Sequence, residues 1–99
     1  MVKVNNNTWV MPSHLDASTA PTIFKKYTKQ ILSDNQWRLD FSKCTKIDSA
    51  GLATIIGCIK HANNAKIGLK ILNLSDDALS LAKAHGVKEI IYKYISKAN

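Results

Sequence analysis

Residues 39–62 read LDFSKCTKIDSAGLATIIGCIKHA, and this stretch decides the fold. Trp37, Leu39 and Phe41 alternate with Arg38 and Asp40. That period of two marks a half-buried strand over Trp37–Phe41. Ser42–Lys46 reads as a polar connection. Ile47 then leads into Asp48-Ser49, and either side chain can accept a hydrogen bond from the orphan amides of a helix's first turn. From there Leu52, Ile55, Ile56 and Ile59 recur on one helical face, flanked by Cys58 and Ala62. Gly51 and Gly57 inside this helix cost about 1 kcal/mol each relative to alanine, so both point to close backbone approach. Asn63-Asn64 is expected to end it.

On the N-terminal side, Val2–Val4 and Thr8–Met11 read as two strands of a hairpin, joined by Asn5-Asn6-Asn7, residues tolerant of positive φ. Pro12 ends that pairing or confines it to an edge. Residues 13–19, SHLDAST, are rich in capping side chains, and Pro21 suits the first turn of a helix. The spacing of Phe24, Tyr27 and Ile31 predicts that helix over Pro21–Leu32, closed by Ser33-Asp34-Asn35. On the C-terminal side, Ile67, Leu69 and Ile71 alternate and predict a strand over Ile67–Leu74. Ser75-Asp76-Asp77 starts a shorter helix carrying Ala78, Leu81 and Ala82, and His85-Gly86 stops it. The tail, Val87–Ile95, fits a strand or a helix equally. Strands and helices that alternate after an opening hairpin imply an α/β fold. The expected architecture is a mixed, largely parallel sheet of four to five strands, with the Phe24 and Ile55 helix faces packed on it. No repeat or linker divides residues 1–99, so one domain is expected.

Composition narrows the function. The 99 residues carry 14 Lys and Arg against 7 Asp and Glu, a net charge of +7. Such an excess favours acidic partners. The cations are scattered, however, and Arg38 is the sole arginine, which argues for a solvated surface and against specific nucleic-acid recognition. The two cysteines, Cys44 and Cys58, form no CxxC pair and read as packing residues. The opening MVKVNNN has no apolar run of signal-peptide length. The longest apolar stretch, Gly51–Ile59, is about half of what crosses a bilayer. A soluble, cytoplasmic protein without direct membrane insertion is the expectation.

No constellation for catalysis emerges. HExxH, EF-hand and Walker A patterns are absent, and His14, His61 and His85 share no ligand spacing. Asp76-Asp77 is explained as a helix start. Cys44 has no orienting acid or base that the sequence places beside it. Neither catalytic residues, a metal nor a cofactor is expected. What remains is Ile47–Ala53, where a strand end passes through a carboxylate and a hydroxyl into a strong helix. A plain N-cap accounts for that pattern, and so does a place for an anion or phosphoryl group at the helix dipole.

The run LDFSKCTKIDSAGLATIIGCIKHA resembles the signature of STAS domains, the family of sulfate-transporter tails and anti-sigma-factor antagonists, in which a strand ending in D-[ST]-x-G-[LI] feeds the second helix. The whole chain fits that family's length and topology. Two sub-families compete. Anti-sigma-factor antagonists resemble D-S-S-G-L and are switched by phosphorylation of the second serine. Ala50 stands at that position here, so the usual acceptor is missing, and Ser49 matches the first hydroxyl. The MlaB-type STAS subunit of the Mla phospholipid transporter resembles D-T-G-G-L-A with a downstream L-x-x-L-A-K. Asp48-Ser49-Ala50-Gly51-Leu52-Ala53 and Leu79–Lys83 are similar to it, departing mildly at Ser49 and Ala50 and, in the downstream L-S-L-A-K, by one residue fewer between the leucines. That resemblance implies a non-catalytic cytoplasmic subunit, held peripherally at the inner membrane by docking on the ABC ATPase and, through it, the permease. It implies a partner-binding, possible regulatory segment of Asp48, Ser49, Ala50, Gly51 and Leu52. Ser49 would supply the key hydroxyl, Asp48 would orient the loop and Gly51 would admit the partner's backbone. The alternative is a signalling module of the anti-sigma-factor-antagonist kind.

Overall fold

The computed structural model describes residues 3–5, 8–29 and 36–95. Three short strands open the chain: β1 (Lys3–Asn5), β2 (Thr8–Val10) and β3 (His14–Leu15). Helix α1 (Ala20–Lys29) follows, then β4 (Gln36–Asp40) and β5 (Lys46–Ile47). The long helix α2 (Ser49–Ala65) leads to β6 (Gly68–Leu72), α3 (Asp76–Ala84) and α4 (Lys88–Tyr92). The main sheet runs β1-β2-β4-β6. β1 pairs antiparallel with β2, while β2, β4 and β6 are parallel. The expected mixed, largely parallel sheet is therefore present, with four strands, the low end of the expectation.

Strand alternation sends Trp9, Trp37, Leu39, Leu69 and Ile71 to one face, all buried. Parallel register sets Trp9 beside Leu39 and Leu39 beside Ile71. The two indoles meet edge to face, with centroids 5.0 Å apart. Ile23 of α1 and Ile55, Cys58, Ile59 and Ala62 of α2 complete this core. Each large apolar side chain so buried contributes about 1.5–3 kcal/mol. The opposite face carries Arg38, Asp40 and Lys70, partly or fully exposed. The Ile55 face thus packs as expected. The side chains of Phe24, Tyr27 and Ile31, and the closure expected at residues 33–35, lie outside the described residues, as does Val2; of the turn expected at Asn5-Asn6-Asn7, Asn5 belongs to β1 and the other two lie outside the described residues.

Several expected boundaries move. Ser42–Lys46 is not wholly a connection: Lys46 and Ile47 form β5, paired in parallel with β3 as a separate two-stranded sheet. The Ser13 carbonyl accepts from both Thr45 N and Lys46 N, at 2.8 and 3.1 Å, and these non-local bonds create the strand. The segment 13–19 correspondingly contains β3 as well as the approach to α1. Helix α2 passes Asn63-Asn64 and ends after Ala65, where Lys66 takes the left-handed conformation (φ 58°) and donates to Ala62 O and Asn63 O. Strand β6 is shorter than Ile67–Leu74, because Asn73 adopts φ 60° and turns the chain. The tail resolves as a helix, followed by a single bridging residue. α4 buries Ile91 on the core, and Ile95 then bridges to Ile71 in parallel.

Candidate functional site

β3 and β5 pair in register Leu15↔Ile47, so Asp16 and Asp48 follow side by side at the ends of the two strands. Parallel strands lie about 4.8 Å apart, which sets the scale of that approach. Asp48 N donates to Leu15 O at 3.2 Å. The Asp48 side chain then caps α2, its Oδ1 accepting from Gly51 N at 3.0 Å, while its carbonyl accepts from Leu52 N. Of the two capping candidates, the structure uses Asp48. Ser49 is the first helical residue and is exposed, with no hydrogen bond to its hydroxyl among the described residues.

The five expected binding residues separate into a surface and a foundation. Asp48 and Ser49 are exposed and Ala50 is half-buried, whereas Gly51 and Leu52 are buried. Gly51 does allow a close approach, as its residue type suggested, but the approach is internal. A Cβ there would collide with the Leu15 carbonyl and the Ile47 side chain. Leu52, 3 % exposed, belongs to the core. Thr54, also buried, donates from Oγ1 to Ala50 O at 3.0 Å and tightens the first turn.

Concavities flank this helix start on both sides. A shallow groove is lined by Ser49, Ala53, Ile56 and Lys60 along α2, with His85 and Val87 opposite. On the other flank, a cleft of about 410 Å³ opens between β5, the start of α2 and the start of α3. Cys44 lies in its wall, its thiol donating to Lys46 O at 3.4 Å, and burial pushes that thiol's pKa up. Cys58 is buried in the core, which raises its pKa to about 12 and suits a packing role. Asp16 is held below the ordinary carboxylate range by Ser18, whose Oγ and backbone N both donate to Oδ1. His61 rests edge-on against Trp37, with ring centroids 6.0 Å apart. Among the described residues, no group of three or more His, Cys, Asp or Glu could hold a metal ion. No helix of the described residues is long and apolar enough to cross a membrane.

Sequence reasoning missed Asp16 and the cleft. The signal was present in Asp16-x-Ser18-Thr19, a turn-forming carboxylate, but its neighbour Asp48 lies far along the chain and only the β3–β5 pairing joins them.

The family model for the STAS domain matches residues 2–98, nearly the whole chain. The chain belongs to the STAS-domain family. Solved structures share the fold of this STAS domain. A sulfate transporter family protein from Wolinella succinogenes superposes with a TM-score of 0.76 at 11 % identity, covering 94 % of this chain and 79 % of its own. A Thermotoga maritima protein assigned as an anti-sigma factor antagonist gives 0.76 at 18 % identity, covering 99 % and 86 %. The anti-sigma factor antagonist SpoIIAA in its unphosphorylated form gives 0.75 at 17 % identity, covering 100 % and 87 %. No curated protein sequence is significantly similar to this STAS domain.

Proposed function

We propose that this STAS domain is a non-catalytic docking subunit, and that its partner is the ATPase of a phospholipid-transporting ABC system. One observation carries the docking reading. Asp48 takes over the capping of α2, which leaves the Ser49 hydroxyl exposed and uncommitted on a firmly seated helix start. A hydroxyl with no internal task, beside a groove that runs along the same helix, suits recognition by another protein. The choice of partner rests on the similarity of Asp48–Ala53 and Leu79–Lys83 to the MlaB-type subunit. In this reading the chain supports assembly or activity of the ATPase and permease, sits at the inner membrane through them, and neither binds nor hydrolyses ATP.

A second reading, a signalling module of the anti-sigma-factor-antagonist type, is favoured by fold likeness to two such structures. Ala50 weighs against it, since that residue offers no hydroxyl to a kinase. The test is co-purification of the tagged chain with the ATPase and permease of its own operon. Ser49→Arg is expected to abolish the complex while the domain still folds. Recovery of a sigma-factor kinase instead, or stoichiometric phosphate on Ser49, would select the signalling reading.

A further inference from the structure

The cleft between α2 and α3 has a composition unlike that of the rest of the chain. Its floor is apolar: Phe41 is 2 % exposed, and Ile47, Leu74 and Leu81 are partly buried side chains packed on the core. The core therefore reaches the surface here. Its rim carries Asp16, Asp48 and Asp77, three of the 7 acidic residues in a chain of net charge +7. Against them stands Lys46, one of 14 Lys and Arg. Two helices also direct their N-termini to this cleft, a setting where anions ordinarily bind. Those ends are already faced by Asp48 on α2 and by Asp76 and Asp77 on α3, so a further anion is repelled.

An apolar floor under an acidic rim fits a side chain that is aliphatic along its stem and cationic at its tip. About 410 Å³ accommodates one such side chain, and sits at the small end of the range for small-molecule sites. We propose that this cleft receives an arginine or lysine side chain of the docking partner, stem on Phe41 and Leu81, head among Asp16, Asp48 and Asp77. Asp16 and Asp48 each spend Oδ1 on an internal bond, which fixes both carboxylates in place before a partner arrives. Such a contact gives the interface its register and speeds encounter, in a salt-dependent way. This inference rests on the reading of the chain as a protein-binding domain.

The test is an NMR titration of the full chain with the peptide acetyl-Leu-Arg-Leu-amide and with its twin carrying citrulline, which has nearly the same shape without the charge. Amide shifts at Cys44, Lys46 and Ala78 are expected with the arginine peptide, and roughly tenfold weaker binding with citrulline. The variant Asp16→Asn/Asp77→Asn keeps the α2 cap and is expected to bind both peptides equally weakly. Equal response to the two peptides in the wild-type chain overturns the proposal. So do shifts away from the cleft, no shifts at all, or an unaltered response in the folded variant. Shifts that grow with protein concentration alone would place a lysine of a second copy in the cleft and overturn the docking-partner form. The two readings fail separately. A chain that binds its operon's ATPase and ignores the arginine peptide loses the cleft alone. One that takes the peptide and not the ATPase loses the transporter assignment alone.

Discussion

The starts of α2 and α3 line one cleft and are built in opposite ways. α2 is wedged: Gly51 sits against Leu15 and Ile47, Leu52 is buried, and Asp48 is tied to β3 through its own amide. α3 is held more lightly. Ser75 Oγ accepts from Ala78 N at 3.1 Å, and Ala78 is the buried residue of the first turn. Below it, Asn73 donates from Nδ2 to Asp40 Oδ1 at 3.0 Å, joining the chain after β6 to the end of β4. The difference teaches where rigidity has been placed. The helix that presents Ser49 has tight backbone packing in addition to its side-chain cap, whereas the start of its neighbour relies on side-chain bonds and one buried alanine.

Removing the wedge should have the largest effect. Gly51→Ala gains about 1 kcal/mol of helix propensity but forces a methyl onto a carbonyl oxygen that cannot move without its strand. A net loss of about 2 kcal/mol is expected, or roughly 8–16 °C in Tm for a domain of this size. Gly86→Ala is the control on the α3 side. Its Cβ meets open space, and only the φ of 74° resists, at about 1 kcal/mol. Thermal melts that show Gly86→Ala as the more damaging change would reverse the comparison.

The caps come next. Asp48→Ala and Ser75→Ala should each lose about 1 kcal/mol in urea denaturation, since each removes one side-chain acceptor from a first turn. Ser49→Ala should stay within about 0.5 kcal/mol of wild type, because its hydroxyl has no bond to lose. A cap-sized loss at Ser49 would mean that the hydroxyl serves the fold, and the docking reading would lose its main support.

The smallest effect is acid-dependent. Burial pushes the Asp40 carboxyl up, but the Asn73 amide and both Ser42 donors outweigh it and hold the pKa below the ordinary carboxylate range. A depressed folded-state pKa stabilises the fold above the unfolded value, and the gain disappears as pH falls through the folded one. Asp40 is only partly buried, so solvent screening limits the gain to about 0.5 kcal/mol. Stability measured from about pH 5 down to pH 2 should therefore fall less steeply in Asn73→Ala than in wild type. Identical slopes would remove this bond from what anchors the α3 start.

Legibility in the sequence followed the range of the interactions. The face Leu52, Ile55, Ile59 and the alternation Trp37, Leu39 are local periods, and both elements formed within a residue or two of where the spacing put them: the strand is Gln36–Asp40 in place of Trp37–Phe41, and the helix runs past Asn63-Asn64 to Ala65. Two-residue strands have no period to read, so β5 was hidden inside a polar run, and with it the meeting of Asp16 and Asp48. The choice between Asp48 and Ser49 as cap was open for a similar reason. Both residue types can serve, and the decision fell to Leu15 O, which fixes where the strand stops and the helix begins. The tail had consecutive apolar residues, Ile90-Ile91-Tyr92, which fit either period. Packing of Ile91 on the core settled the helix.

The β3–β5 pair carries one more consequence. Its two strands are brought together from distant parts of the chain, and both Ser49 and the cleft stand on it. An incompletely synthesised or unfolded polypeptide therefore does not present this surface, however intact its motif. Any partner that grips this surface inspects conformation as well as sequence, and it holds the inspected state in place. At a free concentration 100-fold above Kd, that hold is worth about 2.7 kcal/mol, a sizeable share of the 5–15 kcal/mol typical of whole domains. Loss of the partner in a cell should accordingly appear as faster turnover of this small chain, before any change in its own sequence is needed to explain it.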